Sequence, residues 1–487
     1  HKEYRRQRQM CIRDSMDWLS LQQRYAVPAG ASARTARLLA LKRVLDGTQY
    51  DALPHPFSME KSGAGEYIPL SSRRPSVRTN LCRTVVDESV SLLFGDTHWP
   101  GLVTDDARVT EALSTFASQT RLASLLMEAA RLGSVGSVAI LFEVSAGVPK
   151  LSVLETAYLT PFWDDATGEL LRVEERFLVR GRDLAAQGYP IADELLGAQF
   201  WWQRIWTPLD CAVSVPWLVG MDGGVRDESR SVRHGLGFVP IVWTRNLGGP
   251  YGRDPEGECT FERAIDSVIE ADYLLSQAGR GLKYGSDPTL VLKTGGFSDG
   301  VAHQGGAASA LTLPPEGDAK LLEINGNAAG AVLDHYRELR LVVLEQLHGN
   351  RAHGDRVGGA QSGKAMEMMC QPLIWLVDRL RHSYGEGALL SIYRMACRFS
   401  CVLENGLRIG GALVKDLPYC RMSLRWPAWF PSTDPELLSL TQGLVTAVSN
   451  GILSRETAVR MFAMASGNSD PNTEWKMLEQ WCASEQA

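Results

Sequence analysis

The sequence predicts an α+β fold, on three observations. Amphipathic runs of helical period occupy 34–46, 76–95 and 105–132. From 135 to 245 they give way to short apolar runs broken by Gly, Pro and Asp. SVAILFEV, LRVEERFLV and FWWQRIW are examples, and the pattern is that of an antiparallel-rich sheet. Beyond Asp434 the pattern turns helical again.

Composition bounds the function. At 487 residues, 45% apolar and 22% charged, the chain has apolar mass for two or three packed regions. It contains no run of eighteen apolar residues, so no membrane-crossing helix and no membrane partner are expected. A formal net charge of −6 argues against a basic nucleic-acid binder, whose phosphate contacts require clustered Lys and Arg. Residues 1–15 hold five basic and two acidic side chains and no apolar stretch like that of a secretory leader. They are read as a non-native extension with Met16 as the expected start, and without them the charge becomes −9. The nine cysteines include no CxxC pair, so a reduced protein is expected. Cys397 and Cys401 would share a helix face, but without neighbouring His they read as small buried hydrophobes. No metal and no cofactor are expected.

Each element follows from its own pattern. In 76–95, Leu81, Val85, Val86, Val90 and Leu93 form one apolar face and Gly95 supplies the stop. The 105–132 helix ends at Gly133. A Gly/Pro-dense loop at 246–258 precedes a helix over 259–284, about 39 Å long at the helical rise. On it Ile265, Val268 and Leu275 make an apolar stripe, and Glu262, Asp266 and Glu270 recur at four-residue intervals on another face. Short strands (TLVLK, ALTLP, KLLEI) separated by Gly-rich turns fill 289–327. A second helix then carries Val332, Tyr336, Leu339, Val343 and Leu347 on one stripe. The stretch 348–364 has five glycines and reads as a loop. A long helix from near Ser362 to about 403 should kink at Pro372. Asp434-Pro435-Glu436 has N-cap chemistry, and Ser454 begins the following helix.

Motifs of catalysis are absent or incomplete. Gly358 to Lys364 satisfies GxxxxGK, but Ala365 stands where Ser or Thr would hold magnesium, and the preceding segment has helical spacing rather than a strand's. There is no GxSxG and no HExxH. Asp105-Asp106 and Asp164-Asp165 sit by turn signals and read as solvated loops. Phe200-Trp201-Trp202 with Trp206 lacks flanking Lys or Arg clusters and reads as sheet packing.

The order of features resembles the portal (head–tail connector) proteins of tailed bacteriophages and prophages. The residues carrying this are NLCRTVVDESVSLLFG (80–95), GFVP (237–240) with Asn246, and the Phe261–Tyr284 helix leading into DPTLVLKTGG (287–296). They continue through Ser362-Gly363-Lys364-Ala365, Trp426 to Pro431 before Asp434, and SNGILSRET (449–457). The resemblance spans nearly all of 17–487.

It implies a portal-type fold: an α/β N-terminal wing (16–258), stem helices at 259–285 and 329–347, and a small β-containing clip (286–328). A tunnel loop (348–362), the wing's long kinked helix and strands (363–431) and a helical crown (432–487) would complete it. It also implies a homo-oligomeric ring of about twelve subunits around a channel for double-stranded DNA. Partners would be the terminase large subunit, major capsid or scaffold proteins, and head-completion or tail adaptors. The location would be the virion, with host cytoplasm during assembly. An acidic lining would let DNA slide, so Glu262, Asp266 and Glu270 are candidate channel residues. Arg351, His353 and Arg356 would add transient phosphate contacts. Ile265, Val268, Tyr336 and Val343 are candidate subunit-interface residues, on the expectation that the stem stripes are too exposed to be satisfied within one subunit. No enzymatic activity is expected. The competing readings are a capsid-associated scaffold or adaptor without a channel, and a nucleotide-dependent hydrolase.

Overall fold

A computed structural model describes residues 16–248, 254–286, 289–293, 318–322, 327–349, 370–429 and 434–466, with 368, 475 and 477–480. The fold is mixed helix and sheet, α+β as the sequence predicts. The chain divides into two compact units. The first takes in the residues before Val27 with Arg43–Arg83 and Arg263–Leu347; the second holds Val27–Lys42, Thr84–Glu262 and the residues from His348 onward.

Helices α1 (Trp18–Gln22), α2 (Ala33–Leu45) and α3 (Leu81–Phe94) open the chain, followed by α4 (Ala107–Gln119) and α5 (Leu122–Gly133). The expected 105–132 helix is therefore two helices. Thr120 closes the first, its hydroxyl donating to the Phe116 carbonyl at 2.8 Å, and Arg121 takes a left-handed φ of 50° that no continuing helix allows. Helix α3 starts at Leu81 rather than 76. The amides of Val77 and Thr79 donate to the side chains of Ser276 and Asp272, which holds this stretch out of a helix.

Sheets fill the middle of the chain. β1 (Ser137–Ser145) pairs antiparallel with β2 (Val148–Glu155). β3 (Leu159–Trp163), β4 (Leu170–Arg180), β5 (Gln199–Trp206) and β6 (Asp210–Val213) form an antiparallel meander, with Val232–Arg233 added beside β6 and Trp217–Leu218 beside β5. β7 (Ile241–Arg245) returns to the other edge of β1, with Trp243 opposite Ala139. β1 is thus a central strand, and its residues 137–142 are all buried, as an unbroken apolar run demands. The two sheets share a core of Ala139, Leu141, Leu159, Val173, Trp206, Val239 and Ile241. On the helix side Phe142 lies 5.7 Å from the Phe116 ring and 4.6 Å from that of Phe399.

The Trp-rich strand does pack. Phe200 and Trp206 are buried, Trp202 donates its indole N–H to the Tyr189 hydroxyl at 3.0 Å, and Arg176 covers the Trp201 ring at 4.2 Å. Of the acidic pairs, Asp106 caps α4 by accepting from the Arg108 amide, and Asp164 orders its turn through the Ala166 amide, each at 2.8 Å.

After the sheets come α6 (Ile265–Ser286), β8 (Thr289–Lys293), β9 (Asp318–Leu322) and α7 (Asn327–Gln346). β8 and β9 pair antiparallel, and α6 packs on α7. Helix α6 begins six residues later than the sequence spacing predicts. The preceding backbone is spent elsewhere: the Gly257 and Thr260 amides donate to the Gly136 and Ser134 carbonyls, and Asn246 donates to the Glu258 carbonyl and the Thr260 hydroxyl.

Helix α8 (Gln371–Leu380), a π-helical stretch at Arg381–Leu389 and α9 (Leu390–Val402) then run on continuously. Pro372 stands in the first turn of α8, where its missing N–H has no partner to lose, and the run is irregular at the π stretch. The kink expected at Pro372 turns on a helix running from near Ser362, and apart from Met368 the residues 362–369 lie outside the described residues. Gly133 is required opposite the π stretch, because a Cβ there would collide with the Tyr384 hydroxyl. α10 (Asp434–Ser449) and α11 (Arg455–Ala465) follow, and Ser454 caps α11 by accepting from the Thr457 amide at 3.1 Å. Cys397 is buried with its thiol pushed up to about 12, whereas Cys401 is exposed. No metal-binding cluster occurs among the described residues.

Candidate functional site

The acidic residues of the first stem segment have unequal surroundings. Glu262 stands in the short 3-10 turn before α6, where Arg37 grips both carboxylate oxygens, at 2.6 and 3.3 Å. The hydrogen bonds that Arg37 donates to Glu262 in turn raise the Arg37 pKa. Asp266, in the first turn of α6, accepts from the Trp18 amide at 2.7 Å and so satisfies an otherwise open N–H of α1. Glu270, one turn further on, is exposed and has no ion pair among the described residues. Two of the three acids therefore hold the subunit together locally, and only Glu270 is uncommitted.

The apolar stripes require a correction. Ile265, Val268 and Val343 are at most 2% exposed within a single subunit, so they are core residues and not an open interface. Tyr336 is half-buried, and burial raises its hydroxyl pKa. The apolar residues of α7 left in solvent are others: Leu333, Leu341 and Val342, between 37% and 42% exposed. The helical period placed the stripe correctly along the chain. It could not show which side of a two-sided helix the partner helix would take. Arg351, His353 and Arg356, with the GxxxxGK stretch at 358–364, lie outside the described residues.

A second feature of α6 escaped the sequence. Asp272 is fully buried and accepts at Oδ1 from both the amide and the hydroxyl of Thr79, and at Oδ2 from the Tyr50 hydroxyl, all at 2.8 Å. Burial still dominates and holds its carboxyl above the usual range, while those donors and the Arg78 charge pull the other way. Tyr50 is pushed up in turn, by its own burial and by the Asp272 charge. This carboxylate fastens the segment before α3 to α6, with Ser276 one turn on accepting from Val77 at 3.0 Å.

The C-terminal helices also expose apolar surface. Val445 and Ile452 stand in solvent, and a groove of about 690 Å³ runs between α10 and α11, walled by Leu444, Val448 and Phe462.

No protein-family model matches the chain, and no curated protein does. Among solved structures it is similar to a chain in the virion of the native gene transfer agent particle, at 15% identity and a TM-score of 0.39, over 80% of this chain and 95% of that one. A chain in the neck of the native particle, computed with C12 symmetry, matches at 15% identity and 0.35 over the same shares. One in the neck of the empty particle, computed with C6 symmetry, matches at 15% and 0.38, over 78% and 90%.

Proposed function

We propose that the chain is a portal protein, a non-enzymatic subunit of a ring through which double-stranded DNA enters and leaves a phage-type capsid. The observation that carries this reading is an interruption of the second unit. Its chain stops at Glu262, makes a helix, strand pair, helix excursion through α6, β8, β9 and α7, and resumes at His348. That is the order the sequence resemblance implies for stem, clip and stem.

Exposed apolar residues support an assembly. Leu333, Leu341 and Val342 on α7, and Val445 and Ile452 at the C-terminal helices, are the kind of surface that neighbouring copies cover. Charge is consistent with a sliding channel, because a net negative subunit repels phosphates when repeated around a ring. In this reading Glu270 faces the channel, residues 348–362 form the loop near the DNA, and the terminase and head-completion proteins dock on the ring.

Negative-stain images of the purified protein test it. Rings with a central hole are expected, and light scattering should give a mass of many subunits. Leu341→Glu combined with Val342→Glu should abolish the rings while leaving far-UV circular dichroism unchanged. A monodisperse wild-type monomer sinks the reading, and ATP hydrolysis by that monomer would put the nucleotide-dependent enzyme in its place.

A further inference from the structure

Helices α10 and α11 leave their shared apolar side unfinished. Among the described residues only Leu444 of α10 and Ala458 and Ala463 of α11 are buried, and Phe462 is 39% exposed. The groove of about 690 Å³ runs between them, with Leu444, Val448 and Phe462 on its walls. A pair of helices has no third layer to close such a side, so a groove of this size calls for an apolar occupant. The chain itself supplies one. Leu478, thirteen residues after the last residue of α11, stands on the groove wall. Residues 475 and 477–480 are helical, and their exposure is sided. Trp475 and Leu478 are half-buried, whereas Met477, Glu479 and Gln480 are exposed. A spacing of three puts Trp475 and Leu478 on one helix face, so the covered face is the apolar one. Trp481 and Cys482, outside the described residues, prolong that stripe in the sequence by one more turn.

Reach and charge point the same way. Nine residues, 466–474, separate α11 from Trp475, and fully extended they span about 30 Å. Helix α11 is about 16 Å long, so this linker suffices to turn the chain back along the pair. Among the described residues Arg455 is the one charged side chain on the groove wall, and it forms no ion pair there. Residues 470–487 carry four acidic side chains and one lysine, which complements that cation.

We propose that this groove is the docking site of the chain's own C-terminal segment, residues 474–482, which closes on α10 and α11 as a third helix. The stripe of Trp475, Leu478 and Cys482 meets the walls at Leu444, Val448 and Phe462. The contact is made within one chain and does not depend on the portal reading. Ile452 is not on the groove wall, so it stays available to neighbouring copies.

Photocrosslinking and hydrogen exchange of the full-length protein test the proposal. A benzoylphenylalanine in place of Leu478 should crosslink to α10 or α11 of the same chain, leaving a band of monomer mass on a denaturing gel. The amides of 475–480 should exchange slowly in the wild type. Val448→Asp should speed them at least about tenfold while the amides of β1 keep their rates. Leu478→Asp should do the same from the other side of the contact. The β1 amides report whether each variant is folded, and the crosslink is read without either of them. Crosslinks to another copy, at twice the monomer mass, would give the groove to a neighbour's tail and overturn the intrachain site. So would crosslinks confined to residues outside α10 and α11, wild-type exchange over 475–480 as fast as in an unstructured peptide, or unchanged exchange in both folded variants.

Discussion

Strand β1 and helix α7 are built from the same kinds of apolar side chain but dispose of them differently. Residues 137–142 of β1 are buried without exception, flanked by β2 and β7 and covered by Phe116 and Phe399. Helix α7 buries Val343 and Leu344, with Leu347 just beyond its end, and leaves Leu333, Leu341 and Val342 in water. A central strand is finished by its own chain, since both edges and both faces find partners within it. A helix with one packed side is finished only there, and its second apolar side is free for another molecule. Stability should therefore concentrate around β1 and assembly around α7.

The largest effect should come from breaking the strand side of this contrast. Phe142→Ala removes a ring that is stacked on two others in a buried site. The loss should be about 3–5 kcal/mol, read as a shift in urea unfolding monitored by circular dichroism. A loss below about 1 kcal/mol would mean that the site collapses around the smaller side chain and that stability does not centre there.

How much of this could be read from sequence follows the same division. The strands of 135–245 were legible because an unbroken or alternating apolar run bounded by turn residues has few other ways to be buried. Ser454 was legible as the start of a helix, and the cap it supplies there is a local interaction. What depended on distant partners was not. Residues 259 onward have helical spacing, but over 257–260 Asn246 and the Ser134 and Gly136 carbonyls take up the Glu258 carbonyl and the Thr260 and Gly257 amides. Asp272 shares a helix with Asp266 and Glu270, and nothing in the spacing announced that Thr79 and Tyr50 would enclose it. The interface assignment failed for a related reason. A hydrophobic stripe reports that a surface will be covered, and the covering element of Ile265, Val268 and Val343 turned out to be internal.

Asp272 sharpens the contrast through pH. Its folded-state carboxyl titrates above the unfolded value, so folding favours the protonated form. Stability from that proton linkage is fully present below the ordinary carboxylate pKa and is lost as pH rises through the raised one. Asp272→Asn keeps an acceptor for Thr79 and carries no charge at any pH. Relative to wild type, the variant should be more stable at pH 7, and the difference should shrink on acidification and level off below about pH 4. Denaturant midpoints across that range measure it. A variant that loses stability at pH 7 by the same amount at pH 4 would show that the Tyr50 hydrogen bond outweighs the cost of burying the charge.

The smallest effects should separate the three acids that spacing made equivalent. Glu262→Ala frees Arg37 from a half-exposed ion pair, and Asp266→Ala leaves the Trp18 amide without its acceptor. Each should cost about 0.5–1 kcal/mol, the usual worth of a surface pair or a helix cap. Glu270→Ala breaks no ion pair among the described residues and should stay within about 0.5 kcal/mol. If all three cost the same, Glu270 is not the uncommitted member. Charge reversal then asks what that freedom is for. Glu270→Lys should leave folding and ring formation intact, yet in an assembled ring it adds one cation per subunit where DNA is to slide. The rings should then retain duplex DNA in low salt and release it as salt is raised, because each added phosphate contact displaces a counterion. Rings of Glu270→Lys that pass DNA as wild type does, at every salt concentration, would move the channel lining to another face of α6.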